Sequence, residues 1–160
     1  MAGIYLHIPF CRQACHYCNF HFTTSLRYKD ELVHGLIKEI ALQKDYLEGE
    51  PVHTVYFGGG TPSLLAIADC RLLIEKIHQT FPVASDAEIT LEANPDDISD
   101  EKLQGWRDLG INRLSIGVQS FVEEELRWMN RAHTTAEAEG CIEKSLTAGF
   151  TNMSIDLIYG

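Results

Sequence analysis

The chain has 160 residues, of which 45% are apolar, and a formal net charge of −10, a composition typical of one soluble globular domain. The acidity argues against nucleic acid as a partner, because phosphate binding requires a basic face. No apolar run reaches the roughly 20 residues that a membrane-spanning helix needs. The N-terminus lacks the pattern of a signal peptide, so we expect a cytoplasmic protein.

Five short stretches rich in β-branched or aromatic residues are predicted to be buried strands. They are residues 4–8, 53–57, 88–92, 112–117 and 152–158. Segments with helical periodicity lie between them, at residues 28–47, 69–81, 99–110 and 134–149. Ser99 is a predicted N-cap, Thr134 and Glu137 have the capping-box spacing, and each of the last two helices ends at a glycine.

The alternation of strands and helices predicts an α/β fold of parallel βα units with right-handed crossovers. A helix normally follows each such strand and covers its apolar face, but this chain stops as the fifth strand ends. We therefore expect residues 1–160 to be the N-terminal portion of a larger partial barrel, truncated after the fifth strand. The last strand would then be an exposed edge.

Three of the five cysteines fall within the stretch CRQACHYC, directly after the first predicted strand. Cys11, Cys15 and Cys18 have the spacing C-x3-C-x2-C, which lets three thiolates converge on one centre and leaves one coordination position open. This spacing favours an iron–sulfur cluster, with zinc or three free thiols as alternatives. The histidines that could complete a zinc site are His7, His16 and His21.

A run of three glycines, residues 58–60, ends the second predicted strand. Backbone amides without side chains can approach a ligand closely, although a plain turn would have the same composition. Two further cysteines, Cys70 and Cys141, fall on apolar helical stripes and are predicted to be small buried residues.

Six segments in order along essentially the whole chain resemble one family. They are GIYLHIPFC, YFGGGTPSLL, LEANPDD, INRLSIGVQSF, NRAHT and IDLIYG. The pattern is similar to the radical S-adenosylmethionine (SAM) superfamily, within it to the oxygen-independent coproporphyrinogen III oxidases and the related HemW-type heme chaperones. The resemblance implies a partial TIM-type (β/α) barrel, with a [4Fe–4S] cluster held by three cysteines and SAM on the fourth iron. The site would lie at the carboxyl ends of the strands.

The resemblance assigns Cys11, Cys15 and Cys18 to the cluster and nine further residues to the SAM pocket. These are Tyr5, Tyr17, Gly59, Gly60, Thr61, Glu92, Gln119, Arg131 and Asp156. Residues 59–61 would present backbone groups to the methionine moiety, and Glu92 would accept hydrogen bonds from the amine or a ribose hydroxyl. From the residues alone, Tyr5 could instead belong to the core and Arg131 to a surface ion pair. Glu92 and Asp156 could cap helices.

Position 20 distinguishes the two branches of the resembled family. The oxidases carry a further cysteine two positions after the third, where this chain has Phe20. The resemblance therefore implies a heme chaperone that delivers heme to an acceptor protein. The alternative is an oxidase that decarboxylates coproporphyrinogen III by radical chemistry, and a zinc-stabilised structural domain is a third reading. His133 is interpreted as a polar loop residue outside the site.

Overall fold

The five predicted strands form one parallel sheet in the computed structural model, which describes residues 2–159. The strands are β1 (Ala2–Ile8), β2 (Val52–Gly59), β3 (Val83–Ala93), β4 (Arg113–Gln119) and β5 (Met153–Leu157). They lie side by side in chain order, each parallel to the next. The α/β fold with parallel βα units is therefore confirmed.

The helices between the strands are α1 (Lys29–Leu42), α2 (Ile67–Thr80), α3 (Asp100–Asp108), α4 (Glu123–Trp128) and α5 (Thr135–Thr147). The Ser99 hydroxyl accepts a hydrogen bond from the Lys102 N–H, and Thr134 and Glu137 form the expected capping box. Helix α1 ends earlier than predicted, at Leu42, and α4 was not predicted. No helix within residues 2–159 is long and apolar enough to cross a membrane.

The hydrophobic core lies between the sheet and the helices. Alternate residues of the strands face the helices and are buried: Leu6, Ile8, Val55, Phe57, Leu91, Leu114, Ile116 and Val118. Trp106 of α3 and Leu73 of α2 pack into the same cluster. Cys70 and Cys141 are buried on their helices, as predicted. Because successive side chains of a strand point to opposite faces, the other set of residues faces away from the helices.

Strand β5 forms one edge of the sheet. Within the described residues it pairs with β4 alone, and its apolar side chains Ile155 and Leu157 are exposed. This agrees with the predicted edge strand.

Candidate cluster and SAM site

The carboxyl ends of all five strands meet around one pocket of about 360 Å³. Parallel strands bring their carboxyl ends to the same edge of a sheet, where ligand sites of such folds gather. All twelve residues that the sequence assigned to the cluster and the SAM pocket line this one cavity. Phe20 and Asn94, which the sequence did not assign to the site, line it too.

Each cysteine of the loop after β1 is partly exposed to the pocket and none is in a disulfide. The Thr61 hydroxyl donates to Cys11 Sγ at 3.5 Å, and Arg131 Nη1 donates to Cys15 Sγ at 3.4 Å. Burial raises the pKa of the Cys11 thiol, and the hydrogen bond from Thr61 opposes that rise. Donors aimed at sulfur stabilise a thiolate ligand, so these contacts suit cysteines that bind iron.

Among residues 2–159, no group of three or more His, Cys, Asp or Glu side chains is arranged to hold a metal ion. A cubane cluster gives each thiolate its own iron, so three ligands of one cluster do not meet at a point.

Glycines 59 and 60 let β2 pass close to the cysteine loop. A Cβ on Gly60 would lie 2.7 Å from Phe10 O and 2.9 Å from Cys11 Sγ. Gly59 has a φ of 122°, and a Cβ there would lie 2.8 Å from a ring nitrogen of His7. Their N–H groups are paired within the protein, that of Gly59 with Glu92 and that of Gly60 with the Ile8 carbonyl. The glycine run is therefore a close-packing element beside the cysteines.

Glu92, near the end of β3, is the acidic group of the pocket wall. Its two oxygens accept hydrogen bonds from the Tyr56 hydroxyl at 2.8 Å and from the Gly59 N–H at 3.1 Å. Burial raises the pKa of Glu92, and these two hydrogen bonds oppose the rise. Burial and the bond to Glu92 raise the pKa of Tyr56 to about 12. Glu92 thus belongs to the pocket, and both of these bonds go to strand β2 rather than to the start of a helix.

Tyr5 belongs to the pocket wall as well. Its side chain is 57% exposed, which excludes a purely structural place in the core. The ring stacks on Tyr56 with centroids 6.0 Å apart, and its hydroxyl lies 3.1 Å from His7 Nδ1.

Arg131 lies between the cysteine loop and the ends of β3 and β4. Nη2 donates to Asn94 Oδ1 at 2.9 Å and to the Gly117 carbonyl at 2.6 Å, while Nη1 also reaches the Tyr17 hydroxyl at 3.2 Å. Its Nε is buried and has no hydrogen-bond partner within the described residues. Arg131 is therefore a fixed cation of the pocket, and the reading as a surface ion pair is wrong. Burial raises the pKa of Tyr17 to about 12, so its hydroxyl stays neutral.

Gln119 and Asp156 line the pocket at the ends of β4 and β5. Gln119 has a φ of 70°, a backbone conformation that residues other than glycine rarely adopt. Such residues are found preferentially at functional sites. Its carbonyl accepts the Ile158 N–H at 2.9 Å, which joins the ends of the two strands.

An ion-pair group centred on the buried Asp97 supports the segment next to the first cysteine. Arg12, which follows Cys11, donates to Asp97 and pairs with Asp96 at 3.2 Å. Asp97 is fully buried and also accepts from the Ser63 hydroxyl at 2.8 Å and from Lys102. The start of the cysteine loop is thereby tied to the segments that follow β2 and β3.

Sequence reasoning missed Asn94, which joins two of the predicted residues. Its Oδ1 accepts from Arg131, and its Nδ2 donates to the Thr61 hydroxyl at 3.3 Å. Its position directly after β3, in the LEANPDD segment, was the signal that could have found it. His133 is buried and is not among the residues that line the pocket.

A cluster with SAM fits the residues present: three thiols on one pocket, donors aimed at two of the sulfurs, and a carboxylate and a guanidinium on the walls. The Radical SAM superfamily model matches residues 5–160, and the chain therefore belongs to the radical SAM superfamily. Membership implies a [4Fe–4S] cluster and SAM.

Relatives within this superfamily have heme-related names. The chain is 37% identical over 160 residues to "Heme chaperone HemW" of Escherichia coli (strain K12), covering 99% of this chain and 42% of that protein. It is 39% identical over 163 residues to the protein of the same name from Synechocystis sp., covering 98% and 39%. The chain thus spans about two fifths of the curated relatives it matches.

A solved structure with a similar fold is the coproporphyrinogen III oxidase (HemN) of Escherichia coli, described as a radical SAM enzyme. Its TM-score is 0.91 at 34% identity, over 99% of this chain and 37% of that one.

Proposed function

We propose that this chain is the N-terminal portion of the radical SAM core of a cytoplasmic heme chaperone. The whole protein would bind a [4Fe–4S] cluster, SAM and heme, and would transfer heme to an acceptor protein. The names of the HemW relatives support this function, and Phe20 is the observation in this chain that favours it over the oxidase.

Phe20 is 77% exposed and lines the pocket two residues after Cys18. Its place on the pocket wall, and not its exposure alone, makes this ring a surface that a bound ligand would cover. A cysteine in this place would offer the site a fourth thiol, whereas phenylalanine offers a flat apolar surface. A porphyrin macrocycle is a flat apolar ligand of the kind that stacks on such a ring.

The residues of the pocket would have distinct roles in binding the cluster and SAM. Cys11, Cys15 and Cys18 would hold the cluster, and the bound cluster and SAM would supply one-electron chemistry. Glu92 accepts hydrogen bonds and suits the amine of SAM, while Arg131 donates them and suits its carboxylate. The remaining assigned residues would shape the pocket: Tyr5, Tyr17, Gly59, Gly60, Thr61, Gln119 and Asp156.

The test is anaerobic reconstitution with iron and sulfide, followed by a heme titration. About four irons per chain and a reduced EPR spectrum that changes on adding SAM are expected for an open-iron cluster. Heme binding, followed by the Soret absorbance, should weaken in Phe20→Ala with the iron content unchanged. Tyr46→Ala is a matched control, because Tyr46 is 78% exposed and does not line the pocket. Retained zinc, or heme affinity equal in both variants, would contradict the proposal.

The alternative function is oxidative decarboxylation of coproporphyrinogen III, which the similarity to the oxidase structure favours. Incubating the reconstituted chain with SAM, a reductant and coproporphyrinogen III separates the two functions. A chaperone leaves the porphyrinogen unchanged, whereas an oxidase yields a product that has lost carbon dioxide, visible by mass spectrometry.

A further inference from the structure

The carboxyl end of α4 lies directly against the cysteine loop, residues 11–18. The left-handed residue Asn130, whose φ is 57°, lies two residues beyond the end of the helix. The Asn130 N–H donates to the Arg127 carbonyl at 3.0 Å and the Arg131 N–H to the Leu126 carbonyl at 2.9 Å. This pair of bonds is the Schellman motif, in which the left-handed position takes glycine or asparagine. The backbone at Asn130 is therefore fixed before it meets the loop.

The last carbonyls of a helix have no partner within it and must find one elsewhere. Here the cysteine loop supplies the donors. Trp128 O accepts from His16 Nδ1 at 2.7 Å, and Met129 O accepts the His16 N–H at 3.0 Å. Asn130 O accepts from Gln13 Nε2 at 2.8 Å. Because a carbonyl can only accept, Nδ1 of His16 must carry a hydrogen.

Asn130 also returns a bond to the loop, since its Nδ2 donates to the Ala14 carbonyl at 2.8 Å. Four hydrogen bonds thus hold Gln13, Ala14 and His16, the residues on both sides of Cys15. The segment that makes them is itself anchored, because Met129 is buried in the protein. Ordering a loop costs backbone entropy for every residue, so a loop ordered in advance binds its ligand more tightly.

We propose that residues 128–130 form a clamp that orders the cysteine loop before the cluster binds, with Asn130 as its positioning residue. Asn130 is not among the residues that line the pocket, and it acts through its hydrogen bonds with Gln13 and Ala14. The proposal rests on the proposed cluster role of Cys15 and its two companions. The clamp gives α4 a role in the site, although no residue of the helix lines the pocket.

The test compares two substitutions of Asn130 with a matched control. Asn130→Ala removes the side-chain bond and places a strained residue at positive φ, whereas Asn130→Gly removes the same bond and relieves the strain. Glu48→Ala is the control, because Glu48 is an exposed residue with a φ of 50° in the connection between α1 and β2. Amide hydrogen exchange of the metal-free chain and iron loss from the loaded chain to a chelator are measured for each.

In Asn130→Ala, exchange of the His16 N–H and the rate of iron loss should each rise about tenfold, which corresponds to the strain of one such residue. The Cys11 N–H, bonded to the Thr23 carbonyl, should exchange as in the unsubstituted chain. Asn130→Gly should keep the His16 N–H protected and lose iron at an intermediate rate. Glu48→Ala should change neither quantity.

Unchanged His16 exchange in Asn130→Ala would overturn the clamp. So would equal acceleration at His16 and Cys11, because that result means general unfolding rather than release of one segment. If the unsubstituted chain takes up no iron, the proposed cluster role fails, and the exchange comparison then still decides whether the clamp exists.

Discussion

Replacing Gly60 by alanine tests whether close packing of β2 against the cysteine loop is required for the site. The new Cβ would meet Phe10 O at 2.7 Å, Phe10 N at 3.0 Å and Cys11 Sγ at 2.9 Å. Two of these atoms are backbone, and the Gly60 N–H is bonded to Ile8 O at 2.9 Å, so neither side can move away cheaply. Overpacking of this kind costs about 1–3 kcal/mol. At about 2–4 °C per kcal/mol for a chain of this size, a cost near 2 kcal/mol lowers the melting temperature by about 4–8 °C.

The assay is a thermal melt of the metal-free chain, with iron content after reconstitution as the second measurement. Gly35→Ala is the matched control, because Gly35 lies inside α1 and its Cβ would meet nothing within 4 Å. This control should gain about 0.5–1 kcal/mol from helix propensity and melt about 1–4 °C higher. Gly60→Ala should also bind less iron, since the methyl group displaces Cys11. A Gly60→Ala chain that melts like the unsubstituted one and binds full iron would refute the packing argument.

Three further substitutions test the electrostatics of the chain. Asp97→Ala removes the buried acceptor of Arg12 and Ser63 and should lower the free energy of unfolding by about 3 kcal/mol, measured by urea denaturation; a loss below about 1 kcal/mol would contradict this. Burial raises the pKa of Glu92, so its charge costs stability as the pH rises through that raised pKa. Glu92→Gln should therefore have a higher melting temperature than the unsubstituted chain at pH 7 without SAM, and the difference should disappear in acid. Equal melting temperatures at pH 7 would contradict this reasoning. Burial lowers the pKa of His133 to about 4, so its contribution to stability holds above pH 6.5 and is lost as the pH falls through 4. His133→Gln should flatten the acid limb of a stability–pH curve, and a limb that stays as steep would refute this.

The strands could be predicted because a parallel sheet covered by helices has apolar runs between segments of helical periodicity. The weakest boundary is the start of β3, at Val83 rather than residue 88. Residues 83–86 are exposed or half-buried, so no apolar pattern marks them as a strand. They join the sheet through the pairing of Val83 with Val52, which precedes a register shift. That pairing is a tertiary contact, so the residues around Val83 do not by themselves indicate that the strand begins there.

Helix α4 could not be predicted for a related reason. It has six residues, three of them consecutive glutamates, and one buried side chain, Leu126. Fewer than two turns cannot establish a period of 3.6 residues. The helix is stabilised at its carboxyl end by the Asn130 turn and by the cysteine loop, neither of which is a pattern along α4 itself.

The two parts of the site therefore differ in how far a sequence can specify them. Residues at strand ends, such as Glu92 and Gln119, are brought together by the topology of a parallel sheet, so knowing the strands is enough to group them. The cysteine loop contains no strand or helix. Its shape depends on the space beside Gly60 and on the carbonyls at the end of α4, which have no partner inside the helix and accept hydrogen bonds from the loop. Spacing can indicate that three cysteines share a ligand, but the hydrogen bonds to the residues between them come from the end of α4 and the turn after it, more than 100 residues along the chain. Substitutions at the end of α4 should consequently change iron retention more than substitutions of pocket residues that contact neither the cysteines nor α4.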